Sequence, residues 1–276
     1  MVKFIHLSDL HIGKNKGKSN NENAAKVVAH ICNKYEMNDE GLVILITGDI
    51  VDDGEEGQYK NAVEILRPLA QNFTLLACPG NHDYGPCGIF YTEKSQALFQ
   101  KYILGELLNN TKAKIAGTKM EDLYPMDVVI SNVLFVGIDS VVDNENEFAH
   151  FASGEVGSKQ RNALANILKT NSGTGRKVVV YFHHHPLHFR EGIKKPFMEM
   201  DDADKVLRIL ATQTDVVCFG HRHVSQALDS TQQDFDIEWI LAAGKSNDRN
   251  RHGKFQYREI IIDGNDSSVS KISFRV

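Results

Sequence analysis

Long apolar runs are missing from this chain of 276 residues. The longest ones, such as 42–46 and 177–182, have the length of a strand and fall well short of the roughly 18 residues that a membrane helix needs. The N-terminus turns polar by Ser8, so it lacks the apolar stretch of roughly 7 to 15 residues that a signal peptide requires. We therefore expect no membrane segment and a cytoplasmic protein.

Cysteine and proline are also scarce, with 4 and 6 residues, and no pair of cysteines has C-x-x-C spacing. Cys78 and Cys218 lie inside apolar runs, which favours buried free thiols over disulfides or zinc ligands. Neither sign of charge dominates, because 31 basic residues against 36 acidic ones give a net charge of −5. That balance argues against a global nucleic-acid-binding surface but leaves room for a local basic patch.

Apolar segments alternate with stretches of helical period, which predicts a βαβ architecture with parallel strands. Apolar runs of strand length predict strands at 2–7, 42–47, 73–78, 126–130, 133–138, 177–183 and 215–219. Helical spacing predicts helices at 22–36, 57–70, 93–103, 158–170 and 202–212. Turn-rich pieces separate the later apolar segments and predict an antiparallel meander of 235–243, 255–262 and 269–276. No boundary interrupts the pattern, so residues 1–276 are expected to form one α/β domain.

Polar clusters directly follow five of the predicted strands. They are Asp9-Leu10-His11, Gly48-Asp49, Gly80-Asn81-His82-Asp83, His184-His185 and Gly220-His221-Arg222-His223. In an open α/β sheet, ligands bind at the carboxyl ends of the parallel strands. We therefore expect the five clusters to converge at one edge of the sheet.

The composition of these clusters indicates a metal site. Aspartate, asparagine and histidine supply oxygen and nitrogen ligands without a thiolate, a set that suits Mn, Fe or Zn. Seven of the 12 histidines lie in or beside these clusters, namely His11, His82, His183, His184, His185, His221 and His223. So many candidate ligands are too many for one tetrahedral ion and suit two ions that share a bridging carboxylate.

Each cluster alone also has a simpler interpretation. Gly48-Asp49 is ordinary turn chemistry, and Asn81 or Asp83 could cap the next helix. Three adjacent histidines could form a polar loop. The five clusters in this order, each at a strand end, favour the metal site over chance.

Five motifs carry a resemblance to a known family. They are Asp-x-His, Gly-Asp-x-x-Asp-x-Gly (Gly48, Asp49, Asp52, Gly54), Gly-Asn-His-Asp, His-His-Pro and Gly-His-x-His. In this order they resemble the signature blocks of the calcineurin-like metallophosphoesterases, and the match runs from Asp9 to His223. The resemblance implies a four-layer α/β/β/α sandwich, in which two mixed β-sheets are flanked by helices.

The resemblance also implies which residues hold two transition-metal ions, Mn, Fe or Zn. One ion would be held by Asp9, His11, Asp49 and His223, and the other by Asp49, Asn81, His184 and His221. Asp49 would bridge the two ions. His184 is chosen because the family's ligand lies two residues before the proline of its block, and His183 and His185 remain alternatives.

His82 resembles the family's non-ligand histidine, which protonates the leaving oxygen or binds phosphate. Asp52 matches the position whose carboxylate orients that histidine, with Asp83 as the local alternative and turn chemistry as the other interpretation. Asn81, His82 and Arg222 are expected to neutralise charge on the phosphoryl oxygens. Two cations roughly 3.5 to 4 Å apart would generate a bridging hydroxide that attacks phosphorus in line.

The substrate is open to several interpretations. The His-His-Pro and Gly-His-Arg-His blocks resemble those of class III cyclic-nucleotide and glycerophosphodiester phosphodiesterases, which implies a small phosphodiester. The opening 4–14 is instead similar to that of the SbcD-type DNA nucleases, and Lys14, Lys16 and Lys18 could meet a phosphate backbone or form a solvated loop. The chain ends soon after the metal-site blocks, where those nucleases carry a DNA-capping domain and an ATPase-binding segment.

A phosphomonoesterase or protein phosphatase is a further alternative. A non-catalytic scaffold on the same fold is another. Such scaffolds usually lose ligands or the acid histidine, whereas this sequence retains every expected ligand type and His82.

Overall fold

The computed structural model describes residues 1–14, 18–35, 42–115, 117–141, 153–187, 200–264 and 266–275. These residues form the strands β1 (Val2–Leu7), β2 (Leu42–Thr47), β3 (Thr74–Cys78), β4 (Met126–Ile130), β5 (Val133–Gly137), β6 (Lys177–Tyr181), β7 (Val216–Phe219), β8 (Gln226–Asp229), β9 (Trp239–Ala242), β10 (Phe255–Asp263) and β11 (Asp266–Phe274). The α-helices are α1 (Lys18–Lys34), α2 (Glu56–Asn72), α3 (Glu93–Leu98), α4 (Gly157–Asn171) and α5 (Ala203–Leu210). A π-helical segment, Phe99–Leu107, continues α3.

The strands form two mixed sheets. The first has the order β11-β10-β1-β2-β3, in which β1, β2 and β3 are parallel and the β10–β11 hairpin is antiparallel. The second has the order β4-β5-β6-β7-β9-β8, with parallel central strands and antiparallel edge strands. Central parallel strands are covered on both faces and are therefore apolar throughout, as the fully buried β2 shows.

The two sheets pack face to face, and helices cover their outer faces. Between the sheets, the rings of Phe4 in β1 and Phe135 in β5 meet edge to face, with 5.6 Å between their centroids. Strand β6 shows the layering, since Val179 and Tyr181 join the core between the sheets. Val180 instead packs in a second core with residues of α4 and α5. The predicted four-layer α/β/β/α sandwich is confirmed.

The predicted antiparallel meander is wrong in one of its three strands. β10 and β11 do pair antiparallel, but β9 lies in the other sheet, parallel to β7. A short apolar strand carries no signal for which sheet it joins, because its pairing partner is distant in sequence. Strand β8, which reads Gln-Ala-Leu-Asp, was not predicted because an edge strand does not need apolar residues on both faces. The strand predicted at 177–183 ends at Tyr181, so the histidines lie beyond it.

The four cysteines are free. Cys78 and Cys218 are buried as predicted, whereas Cys32 is half-buried and Cys87 is exposed. Among the described residues, none of the helices combines the length and the apolar character that crossing a membrane requires.

Candidate metal centre

The segments after β1, β2, β3, β6 and β7 meet where the carboxyl ends of the two sheets face each other. His221 donates its backbone N–H to Asp9 Oδ1 at 3.1 Å, which joins the segments after β7 and β1. His82 donates its backbone N–H to Asp49 Oδ1 at 3.0 Å, which joins the segments after β3 and β2. The sheets therefore contribute two halves of one site.

Four of the predicted ligands form a compact group around one point. Coordinating atoms of Asp9, His11, Asp49 and His223 all lie within 4.8 Å of one another. His11 Nε2 is 2.9 Å from His223 Nε2 and 3.6 Å from Asp49 Oδ2, and His223 Nε2 is 3.4 Å from Asp9 Oδ1. The group has the size and the donor chemistry of a site for a divalent cation.

A second group of predicted ligands lies around Asn81 and His221. His221 Nδ1 is 3.2 Å from Asn81 Oδ1. The orientation of this amide is fixed because Asn81 Nδ2 donates to Gly88 O at 2.8 Å, so its oxygen faces the histidine. The ring centroid of His184 lies 4.7 Å from that of His221.

The three adjacent histidines occupy different surroundings. His183 Nδ1 donates to Thr47 O at 2.8 Å, and its Nε2 lies 3.3 Å from Asp49 Oδ2. His184 Nδ1 meets Ser140 Oγ at 2.9 Å. His185 turns to the outer core instead, since its ring centroid is 4.8 Å from that of Phe219. Thus His183 and His184 both face the site.

His82 is placed beside the first group, but its link to Asp52 differs from the expectation. The resemblance assigned its orientation to the Asp52 carboxylate, whose Oδ1 is 4.0 Å from His82 Nδ1. In the structure, His82 Nδ1 donates to the backbone carbonyl of Asp52 at 2.7 Å. The carboxylate contacts His11 Nδ1 at 3.0 Å instead. Asp52 therefore contacts His82 through its main chain and the predicted ligand His11 through its side chain, as carboxylates behind metal-binding histidines do.

Asp83, the alternative partner of His82, binds main-chain N–H groups instead. Its carboxylate is buried and accepts the backbone N–H groups of Val51 and Gly80, each at 2.9 Å. It thereby joins the segment that follows β2 to the one that follows β3.

The predicted basic residues are placed less specifically. Lys14 Nζ lies 3.8 Å from Asp52 Oδ1. Lys16 lies outside the described residues, and Lys18 begins α1. Arg222 is half-buried between the two histidines of its block.

The backbone is strained at the predicted ligands. Nine non-glycine residues of the described ranges have positive φ, and five of these are predicted ligands: Asp9 (56°), His11 (44°), Asp49 (51°), His221 (72°) and His223 (55°). Such conformations cost about 1–3 kcal/mol each and cluster at functional sites, where the surrounding structure enforces them. This concentration of strain is visible only in the fold.

Close packing around the ligands involves residues that the motifs do not include. A Cβ on Gly154, which has φ of +80°, would lie 2.2 Å from His184 Cγ. Ser140 Oγ also accepts the backbone N–H groups of His183 and His184, at 3.3 and 3.2 Å. Gly154 and Ser140 follow no recognisable motif, so sequence reasoning missed them.

The charges of the site suit metal binding. Burial alone would raise the pKa of Asp49, but His183, His82 and His11 together hold it well below its usual range. Burial lowers the pKa of His184, and the nearby His221 and His183 lower it further. Burial likewise lowers the pKa of His223. An ionised carboxylate and neutral imidazoles are the forms that bind cations.

The pKa of His183 shifts in the opposite direction, upward. Burial alone would lower its pKa, but the negative charge of Asp49 outweighs burial and raises it to about 9.

Buried polar atoms without partners show that the site fits a cation. Asp9 Oδ2, His183 Nε2 and His184 Nε2 have no hydrogen-bond partner within the described ranges. An unpaired buried carboxylate oxygen or imidazole nitrogen is costly, and a metal ion supplies the missing partner.

This sandwich, with oxygen and nitrogen donors where the carboxyl ends of its sheets meet, is typical of metal-dependent phosphoesterases. The family model described as calcineurin-like phosphoesterase matches residues 2–225. The chain belongs to that family, whose members are metal-dependent hydrolases of phosphoric esters.

Curated relatives carry phosphodiesterase names. A protein of Coxiella burnetii named "Probable cyclic nucleotide phosphodiesterase" is 24% identical over 225 residues, which cover 80% of this chain and 76% of the relative. The 3',5'-cyclic adenosine monophosphate phosphodiesterase CpdA of Haemophilus influenzae is 32% identical over 91 residues, which cover 31% of each chain.

Solved structures share the fold. A candidate 5'-nucleotidase from Staphylococcus aureus superposes with a TM-score of 0.54 at 14% identity and covers 99% of this chain. The NAD nucleotidase NadN of Haemophilus influenzae gives a TM-score of 0.51 at 12% identity over the same share. This chain spans about half of each of these proteins, 53% and 49%.

Proposed function

We propose that this protein is a dinuclear phosphodiesterase whose substrate is a small phosphodiester, with a cyclic nucleotide as the first candidate. The observation that carries the proposal is that the predicted ligands form two groups. Asp9, His11 and His223 lie together with Asp49 in the first group, while Asn81, His184 and His221 form the second. The names of the curated relatives favour a cyclic nucleotide.

The first ion would be held by Asp9, His11, Asp49 and His223, and the second by Asp49, Asn81, His184 and His221. His184 is the proposed ligand because it lies two residues before the proline of its block, and His183 is the alternative, since the Nε2 atoms of both are buried without a hydrogen-bond partner in the described ranges. Mn, Fe and Zn suit this donor set. When bound, two such cations activate water for attack on phosphorus and neutralise the charge that develops on the phosphoryl oxygens.

His82 is the proposed general acid. Because its Nδ1 donates to the carbonyl of Asp52 at 2.7 Å, the proton that it can transfer to the leaving oxygen is the one on Nε2. The ring is half-buried, so the substrate can reach it. Asn81 and Arg222 are proposed to bind phosphoryl oxygens. The single domain and the cytoplasmic location stay predictions.

The first experiment compares the rates on a nitrophenyl phosphodiester and on a nitrophenyl phosphomonoester. The protein is stripped of metal by chelation and reloaded with Mn²⁺. We expect a diester-to-monoester ratio well above one and no activity after stripping. A ratio well below one would contradict the proposed phosphodiesterase and favour a phosphomonoesterase. If the protein reloaded with Mn²⁺ hydrolyses neither ester, a non-catalytic scaffold is favoured.

His82→Ala tests the general acid. We expect kcat on an alkyl-type diester such as a cyclic nucleotide to fall about 10²–10⁴-fold, because an alkoxide leaving group needs a proton. The loss on the nitrophenyl diester should be much smaller, since nitrophenolate leaves without one. Equal losses on both substrates would contradict this role. The matched control is His252→Ala, at an exposed histidine of the loop after β9.

A further inference from the structure

Buried amide side chains meet the backbone carbonyls of the segment after β1, which carries two of the predicted ligands. We propose that Asn20, near the start of α1, is a positioning residue for His11. Its amide holds this segment in the conformation that places His11 among the ligands of the first ion. The inference rests on the proposed dinuclear centre and assigns a role to a residue outside the seven predicted ligands.

The side chain of Asn20 bridges two consecutive carbonyls. Asn20 Nδ2 donates to Leu10 O at 2.7 Å and also to His11 O. Both partners are acceptors, so the amide nitrogen has to face them and the orientation of the amide is fixed. Only 8% of Asn20 is exposed, and Leu10 and His11 are buried as well, so water competes little for these contacts.

The segment that Asn20 holds has a strained backbone. His11 has φ of 44°, a left-handed conformation that persists in a residue with a Cβ only where the surrounding structure enforces it. The backbone N–H groups of His11 and Ile12 donate to Asp49 O and Ile50 O, each at 2.9 Å. Those hydrogen bonds fix the N–H groups of the segment, whereas Asn20 fixes its carbonyls.

A second asparagine meets the same carbonyl from a distant part of the chain. Asn247, in the segment after β9, is fully buried, and its Nδ2 donates to Leu10 O and lies 3.4 Å from Asn20 O. The preceding residue, Ser246, donates its backbone N–H to Ser8 O at 3.1 Å and accepts the backbone N–H of Ser8 on its hydroxyl at 3.0 Å. The segment after β1 is thus held between α1 and the segment after β9.

The ring of His11 is held separately from its backbone. His11 Nδ1 lies 3.0 Å from Asp52 Oδ1, while its Nε2 lies 2.9 Å from His223 Nε2 in the first ligand group. Asp52 therefore orients the ring, and Asn20 fixes the backbone from which the ring extends. Removing an outer contact of a metal-binding histidine typically costs about 10–100-fold in metal affinity.

The next residue of α1 offers a matched control. Asn21 Oδ1 accepts the backbone N–H of Gly13 at 2.9 Å, so it contacts the same segment beyond the predicted ligands. Asn21 and Asn20 thus share a helix, a side-chain type and a partner segment, and they differ in whether their contact is at His11.

The test is a titration of metal-free protein with Mn²⁺, followed by calorimetry and by the nitrogen couplings that a histidine ligand adds to the electron spin echo signal of Mn²⁺. Asn20→Ala removes the donor and keeps a good helix former at the third residue of α1. Asn21→Ala is the control. His11→Ala and His221→Ala identify which affinity belongs to the first ion and which to the second. Thermal melts of the metal-free proteins compare their stability.

We expect Asn20→Ala to bind the first ion about 10–100-fold more weakly, with changed nitrogen couplings and with the affinity for the second ion close to that of the wild type. Asn21→Ala should keep both affinities and the couplings, even where its melting temperature falls as far as that of Asn20→Ala. Asn20→Gln keeps the amide on a longer side chain. It should weaken the first ion by less than Asn20→Ala does, and it replaces that variant if the alanine variant does not fold.

Three outcomes would overturn the inference. Wild-type affinities and couplings in both Asn20 variants would show that the amide does not position His11. Equal weakening of both ions would indicate a general distortion of the site. The same loss of first-ion affinity in Asn21→Ala would mean that any change at the start of α1 acts alike. If the wild-type protein binds fewer than two ions, the proposed dinuclear centre itself fails, and that result is separate because it does not depend on Asn20.

Discussion

The two ends of the parallel strands differ in how their charged groups are paired and in their backbone conformation. At the amino ends, Lys177 Nζ contacts Asp215 Oδ1 at 2.9 Å and Glu238 Oε2 at 3.1 Å, so each charge has an opposite partner. At the carboxyl ends, buried carboxylates meet histidines, the backbone is left-handed at five predicted ligands, and Asp9 Oδ2 has no hydrogen-bond partner in the described ranges. One end stabilises the fold, whereas the other has the features of a site that a ligand completes.

A cavity also lies at the opposite end of the strands from the predicted ligands. A cavity of about 630 Å³ lies beside the amino ends of β6 and β7, where residues 212–215 and 236 line it. The Thr214 hydroxyl in its lining has no hydrogen-bond partner among the described residues, but it is neutral and therefore costs less than an unpaired carboxylate. Strained backbone together with unpaired charged groups therefore favours the carboxyl ends as the functional site.

Asp49→Asn should have the largest effect on activity, and it directly tests the contrast between the carboxyl and the amino ends of the strands. We expect activity to fall by more than about 10³-fold and the bound metal to drop below two ions, because both ions lose their shared carboxylate. The measurement is the rate on the diester together with metal content. Asp215→Asn is the matched control at the other end, where a lower melting temperature with normal metal content is expected. Full activity in Asp49→Asn would refute the proposed centre.

The sequence supports the prediction of this site because its ligands follow strands, and strands are visible as apolar runs. Asp9, Asn81 and His221 could be placed at one edge without knowing any distance. The sequence does not separate His183 from His184, because the groups that they contact, Thr47 and Ser140, are far away along the chain. Strand β9 was assigned to the wrong sheet for the same reason.

The role of Asp52 shows a second limit. Motif spacing identifies the residue, but it does not distinguish its carboxylate from its carbonyl. Only the fold shows that the carbonyl meets His82 while the carboxylate meets His11.

A smaller effect is expected at Asp139, a buried carboxyl just beyond β5. Burial raises its pKa to about 7, despite the hydrogen bonds from Tyr84 and Val141 that favour the charged form. The folded protein therefore holds this proton more tightly than the unfolded chain does, and stability from Asp139 is lost as the pH rises from about 4 to about 7. Asp139→Asn should remove this pH-dependent loss of stability, because asparagine has no proton to lose in this range.

The measurement is urea unfolding of metal-free protein at pH 5 and pH 8. The stability gained by Asp139→Asn over the wild type should be about 2 kcal/mol larger at pH 8 than at pH 5. Asp127→Asn, at an exposed carboxylate of β4, is the control and should leave the difference between the two pH values unchanged. A gain of the same size at both pH values would show that the proton on Asp139 is not responsible.

The smallest effect concerns backbone strain at the amino end. Thr212 has φ of 65° and is exposed, and it precedes β7 on the side away from the metal centre. A left-handed conformation costs a β-branched residue about 1–2 kcal/mol, whereas glycine adopts it freely but loses more chain entropy on folding. Thr212→Gly should therefore raise the free energy of unfolding by about 0.5–1 kcal/mol. Activity and metal content should not change, since no ligand depends on this strain.

Thr212→Ala separates strain from the loss of the threonine side chain, because alanine has a Cβ and is strained in the same region. The alanine variant should gain less than the glycine variant in denaturant melts. Equal gains would mean that the side chain, and not the backbone, limits stability at this position. A loss of metal binding in either variant would contradict the division between the two ends, because strain at the amino end would then support the metal centre as well.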